Sequence, residues 1–204
     1  MTISRTARAW QQFAEQTTTH QLTVLHDDGL YRHLRMAAPG TRIWSWDVIT
    51  WPGHLATAGD IADGFTFSRL LDMLNFFGPV RFDQGVPEIN PGYWAEKLPE
   101  HQRAATRRYS RDQFLEYIDQ TTQEAVDGRW MTEGERAEFL AEAGEVDDDH
   151  RAATDWLDTD FRRVDADWWE ADLKDWDHHF LLTCFAIVTT IRAYREETSR
   201  ERSA

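Results

Sequence analysis

The stretch Arg42-Ile-Trp-Ser-Trp-Asp-Val-Ile-Thr-Trp51 decides the fold class of this chain. Trp44, Trp46 and Val48 alternate with Ile43, Ser45, Asp47, Ile49 and Trp51, so a two-residue period predicts a strand covered on both faces. Pro39-Gly40 breaks the chain before it, and Pro52-Gly53 turns it into His54-Leu-Ala-Thr-Ala58. Upstream, residues 21–26 and 31–36 are two extended runs across Asp27-Asp28-Gly29, the pattern of a hairpin. Downstream, Gly59-Asp60 through Asp63-Gly64 leads to Phe65-Thr-Phe67. Four or five short strands in succession predict an antiparallel meander.

On either side the period becomes helical. Ser4 is placed to cap a helix bearing Ala7, Trp10, Phe13 and Ala14, which the polar run from Gln16 ends. Leu70, Leu71, Met73, Leu74 and Phe77 predict a helix capped by Ser68 and stopped at Gly78-Pro79. Pro87, Asn90-Pro91-Gly92 and Pro99 then mark a boundary. A sheet-containing α+β subdomain is expected over residues 1–98 and an acidic helical subdomain packed on it over 99–204; the same pattern is compatible with one single domain. Ser110 opens a helix carrying Phe114, Leu115, Ile118 and Val126 that ends at Asp127-Gly128. Residues 133–143, 151–157 and 165–173 read as shorter helices. A last helix is expected over 175–197, with Phe180, Cys184, Ile187, Val188 and Ile191 as its buried stripe. The fold class predicted is α+β, an N-terminal antiparallel meander sheet packed by helices and followed by an acidic helical second half.

The 204 residues carry a net charge of −14, and it is unevenly placed. Residues 1–111 hold 11 acids and 12 bases, residues 178–204 hold 3 and 4, and residues 112–177 hold 22 acids against 6 bases, a net of −16. A duplex-binding protein of this size normally carries the opposite balance. So dense a charge points instead to a partner with a basic surface. No apolar run is long enough to cross a bilayer, the first residues lack the apolar stretch of a signal peptide, and Cys184 is the only cysteine. The expected setting is a reducing cytoplasm, with no direct nucleic-acid or membrane contact.

The block Trp44-Ser-Trp-Asp-Val-Ile-Thr-Trp-Pro-Gly-His-Leu-Ala-Thr-Ala-Gly-Asp60, with Phe65-Thr-Phe-Ser-Arg-Leu-Leu-Asp-Met-Leu-Asn-Phe-Phe77 and Ile89-Asn-Pro-Gly-Tyr-Trp-Ala-Glu-Lys-Leu98, resembles a family of bacteriophage and prophage proteins. The closing segment His179-Phe-Leu-Leu-Thr-Cys-Phe-Ala-Ile-Val-Thr-Thr-Ile-Arg-Ala-Tyr194 is similar to the end of the same family. These blocks cover about a third of the chain, and no catalytic residue carries over from them. The resemblance implies a phage-encoded protein acting inside the infected host cell, with anti-CRISPR and other anti-defence proteins as one class that fits.

The residues offer several chemistries. Asp147-Asp-Asp-His150 presents metal-type ligands, but adjacent residues rarely face one ion and the EF-hand spacing is absent. Asp177-His178-His179 lacks the i, i+4 spacing of a helix-borne zinc pair, and neighbouring helical residues diverge by about 100°. Cys184 has no His on its helical face. Asp47, His54 and Asp60 could assemble an acid-base site on the sheet, or could serve the turns around it. No Walker, Gly-x-Ser-x-Gly or Cys-x-x-Cys pattern is present. No metal, cofactor or catalytic residue is therefore assigned.

The leading expectation is an acidic inhibitor that covers the basic nucleic-acid-binding surface of a host defence protein, foremost a CRISPR effector. Its binding residues are expected to be Asp147, Asp148, Asp149, Asp165, Asp167, Trp168, Trp169, Glu170 and Asp172. One of the adjacent Trp168 and Trp169 faces outward as an anchor among carboxylates, while Trp44 and Trp46 belong to the core. Two alternatives stay open: a metal-dependent phage enzyme using the Asp and His clusters, and a phage assembly or regulatory protein.

Overall fold

The computed structural model describes residues 5–62, 64–78, 80–83 and 85–203. They divide into two compact units, a sheet unit of Met1–Thr106 with Trp176–Ala204 and an acidic unit of Arg107–Asp175. The architecture is α+β, as the sequence predicts, but the expected division at residues 98–99 is not the one found. Residues 99–106 and the whole last helix join the sheet.

In the sheet unit, α1 (Arg5–Gln16) precedes five strands in the order β1-β2-β3-β4-β5, each antiparallel to the next. Strands β1 (Gln21–Asp28) and β2 (Tyr31–Ala37) meet across a tight turn in which Gly29 takes φ +62°. The strongest predicted strand is shorter than its apolar pattern. Strand β3 runs over Trp46–Trp51, because Trp44 lies in the left-handed region at φ +61°, where Asp60 Oδ2 accepts its backbone N–H at 2.8 Å. Ile43 is consequently 70% exposed. Strand β4 (His54–Gly59) closes onto β3 through Gly59, at φ +116°, where a Cβ would meet the Ser45 carbonyl oxygen at 2.6 Å. Only glycine permits that approach. Strand β5 (Thr66–Ser68) takes up the serine expected to cap a helix, and Ser68 N–H donates to Lys97 O. The cap of α2 (Met73–Phe77) is Asp72 instead, its carboxylate accepting from Leu74 N and from the Arg32 guanidinium. Ser4, Asp63 and Pro79, read above as a cap and in two turns, lie outside the described residues.

Leu34, Met36, Trp46, Val48, Leu55 and Phe67 fill one face of the sheet and are fully buried or nearly so. What covers them is α8 (His178–Ser203), with α1 and α2. The stripe expected on α8 is wider than predicted: Phe180 to Val188 is buried on every side. A helix that is apolar all round must be enclosed, which is why the end of the chain belongs with the sheet at its beginning. Trp46 ties the layers together, its indole N–H donating to Thr190 Oγ1 at 2.8 Å. The segment between β5 and the acidic unit adds a short pair, β6 (Phe82–Asp83) and β7 (Val86–Pro87), and the brief helices α3 (Pro91–Ala95) and α4 (Glu100–Arg103).

The acidic unit is entered through β8 (Arg107–Tyr109) and left through β9 (Lys174–Trp176), which pair with each other. Ser110 caps α5 (Arg111–Asp127), and a capping box between Thr132 and Glu135 starts α6 (Glu133–Glu145). Arg111 donates to the carbonyls of Gly144 and Val146, satisfying the end of α6. Helix α7 (His150–Trp156) continues into a wide turn ending at Phe161. Phe161 is fully buried and its ring meets Tyr117, Phe139 and Trp156. Residues 165–173 do not form the expected helix. They make one tight turn, Trp168–Glu170, because carboxylates pin the segment at each end.

Candidate protein-binding surface

The division into units concentrates the charge. Arg107–Asp175 holds 21 acids and 9 bases, a net of −12, and the sheet unit carries −2. At physiological ionic strength the screening length is about 8 Å, so exposed carboxylates this close reinforce one another.

Within the acidic unit the predicted residues separate into anchors and free groups. Tyr117 Oη donates to Asp165 Oδ2 at 2.5 Å, and Asp167 N–H donates to Asp165 Oδ1 at 2.9 Å. Burial and the neighbouring carboxylate push the Tyr117 phenol well above its ordinary range. At the other end Arg107 donates to Asp172 Oδ2 at 2.7 Å and Lys174 N–H to Asp172 Oδ1. Partial burial raises the Asp172 carboxyl, but these two donors outweigh it and hold the group below the usual range. Asp165 and Asp172 therefore fasten the loop. Asp167 and Glu170, both exposed, remain available.

Between the two anchors the tryptophans diverge. Trp168 is half-buried against the Phe114–Phe161 core, its Nε1 without a hydrogen-bond partner among the described residues, whereas Trp169 is 59% exposed. Trp168, Trp169, Glu170 and Asp172 line a groove of about 570 Å³ that also takes in His150, Arg107 and Lys174. The groove thus brings His150, but none of Asp147, Asp148 and Asp149, to the tryptophan loop, and it includes two cations that the sequence reading missed. Asp149 is occupied as the cap of α7, accepting from Arg151 N and Ala152 N, while Asp147 and Asp148 are exposed. Asp148 adds to burial in raising the Tyr109 phenol.

The other candidates stay apart. Asp47 is held by Arg35 through two hydrogen bonds of 2.7 and 2.8 Å, and His33 Nε2 lies 3.2 Å from its Oδ2. His54 instead contacts Pro52 O and stacks on Trp51, and Asp60 is the turn acceptor at Trp44. Burial opposes the Asp47 charge, yet Arg35 and His33 keep its carboxyl below the ordinary range. A depressed carboxyl contributes stability that is complete above about pH 4 and is lost as pH falls through its folded value. Urea midpoints measured down to about pH 2 should fall steeply in the wild type and less steeply in Asp47→Asn. Equal slopes would remove this contribution.

Asp177 caps α8 through Phe180 N, and the rings of His178 and His179 diverge by 68°. Burial pushes His178 down, with help from His179 and Arg5. Cys184 is fully buried, which raises its thiol. Among the described residues no group of three His, Cys, Asp or Glu is placed to hold a metal ion, and no helix is long and apolar enough to cross a membrane. No family model, curated protein or solved structure matches the chain.

Proposed function

We propose that this chain is a phage-encoded acidic inhibitor, anti-CRISPR-like, that binds a host defence protein inside the cell and covers its basic nucleic-acid-binding surface. The observation that carries the reading is the exposed Trp169 indole beside the free carboxylates of Asp167 and Glu170, on a unit of net charge −12. An aromatic among acids buries area while its neighbours meet guanidinium and ammonium groups. A channel built to neutralise phosphates presents those groups in a row.

The test is competition. Purified protein is titrated into a CRISPR effector ribonucleoprotein bound to labelled target DNA, at low and high salt. Displacement of the DNA is expected, with an association rate that drops at least about tenfold as salt rises. Charge reversal at Asp147, Asp148, Asp167 and Glu170 should slow association in the same way; Asp149, Asp165 and Asp172 are left intact because they hold the fold. DNA that stays bound, or association indifferent to both salt and charge reversal, defeats the proposal.

A further inference from the structure

A second groove lies along α6, apart from the Trp169 surface. Its floor is apolar, made by Met131, Phe139 and Val164, and the indole of Trp130 beside them is 58% exposed. The backbone that places this indole is unusual. Helix α5 ends with Arg129 N–H donating to Val126 O and Trp130 N–H to Ala125 O, a closure whose left-handed position normally takes glycine. Here Arg129 occupies it at φ +62°. Trp130 folds back over Gly128, where a Cβ would stand 2.8 Å from its Nε1.

Glu135, Glu138 and Glu142 complete the lining. Spacings of three and four residues set them on one side of α6, over about 10 Å of helix. Glu135 is committed to Thr132, accepting from its N–H and Oγ1 at 2.8 Å each. Glu138 and Glu142 are exposed and have no hydrogen-bond or ion-pair partner among the described residues. One guanidinium already rests in the groove: that of Arg163 lies over the Phe139 ring, 5.0 Å from its centroid, and the Glu135 carboxyl is held down by its Thr132 donors first and by the Arg163 charge last. A planar cation on an aromatic face with carboxylates alongside is the geometry that favours arginine over lysine.

We infer that this groove docks an arginine-bearing segment of a partner protein, an apolar side chain of that segment packing on Trp130 and Met131 while Glu138 and Glu142 receive its guanidinium groups. The inference goes beyond the proposed function, since it involves none of the Trp169 surface and holds whether or not that surface meets a defence protein.

The probe is a short dye-labelled amphipathic peptide, with arginines along one helical side and leucines along the other, titrated into the full chain by fluorescence anisotropy. Control peptides carry lysine or neutral citrulline in place of arginine. Saturable binding of the arginine peptide is expected, weaker for lysine and lost for citrulline. Trp130→Ala and the double variant Glu138→Gln with Glu142→Gln should each weaken it at least about tenfold, while Trp169→Ala leaves it unchanged. If Trp130→Ala proves unfolded by circular dichroism, the double variant decides, because it changes only exposed side chains. No saturable binding, equal binding of the citrulline peptide, an affinity unmoved in the double variant, or an equal loss in Trp169→Ala would each overturn the inference.

Discussion

Trp46→Ala should destabilise the sheet unit by about 3–5 kcal/mol, the usual range for emptying a large aromatic site in a core. Trp46 is 1% exposed and stacks on His20 at 5.2 Å between ring centroids, with Phe13 at 5.5 Å. Its N–H also reaches across to Thr190 on α8, so truncation both opens a cavity and releases a helix that is buried on every side along Phe180 to Val188. Trp46→Phe keeps a ring and loses the hydrogen bond, at a further cost near 1 kcal/mol for that bond alone. Thr190 Oγ1 retains its own bond to Ala186 O, so no hydroxyl is stranded. Urea unfolding of the two variants measures both effects. A loss below about 1 kcal/mol for Trp46→Ala would mean that the layers are held elsewhere.

The second large effect belongs to binding. Trp169→Ala should cost at least about 2 kcal/mol of partner affinity, roughly thirtyfold, with little change in melting temperature. Trp168→Ala should do the opposite, lowering the melting temperature because its ring packs on the core of the acidic unit. The paired outcome is what matters. An inert Trp169→Ala in a protein whose partner binding survives would move the contact off this loop.

These expectations draw on different amounts of sequence information. The hairpin and meander were legible because alternation and Gly-bearing turns are local signals, and each strand pairs with its neighbour in the chain. The start of β3 was not, because nothing marks Trp44 for a left-handed conformation; the stabilising acceptor, Asp60, lies sixteen residues on. The helix cap moved from Ser68 to Asp72 for a related reason: Ser68 pairs with His54 on β4 and its N–H donates to Lys97 O, 29 residues on. Last, α8 could be recognised as a helix with an apolar stripe, whereas its place in the sheet unit depends on partners at the far end of the chain.

The candidate surface divides in the same way. That one of the adjacent tryptophans faces outward follows from their being neighbours, but which one depends on the fold. Asp165 and Asp172 read as members of an acidic surface because their partners, Tyr117 and Arg107, are 48 and 65 residues distant. The α6 groove escaped notice, although a tryptophan directly after a helix stop and before a capping box was a usable signal.

The order of the units along the chain also governs how the protein is made. Arg107–Asp175 emerges from the ribosome whole and can close its own core while later residues are still being added. The five strands emerge before it but wait for α8, made only after the whole acidic unit, before their apolar face is covered. Contacts of such wide separation form late and leave strands exposed in the interval. A translational pause before residue 178 would therefore endanger the sheet unit and spare the acidic one.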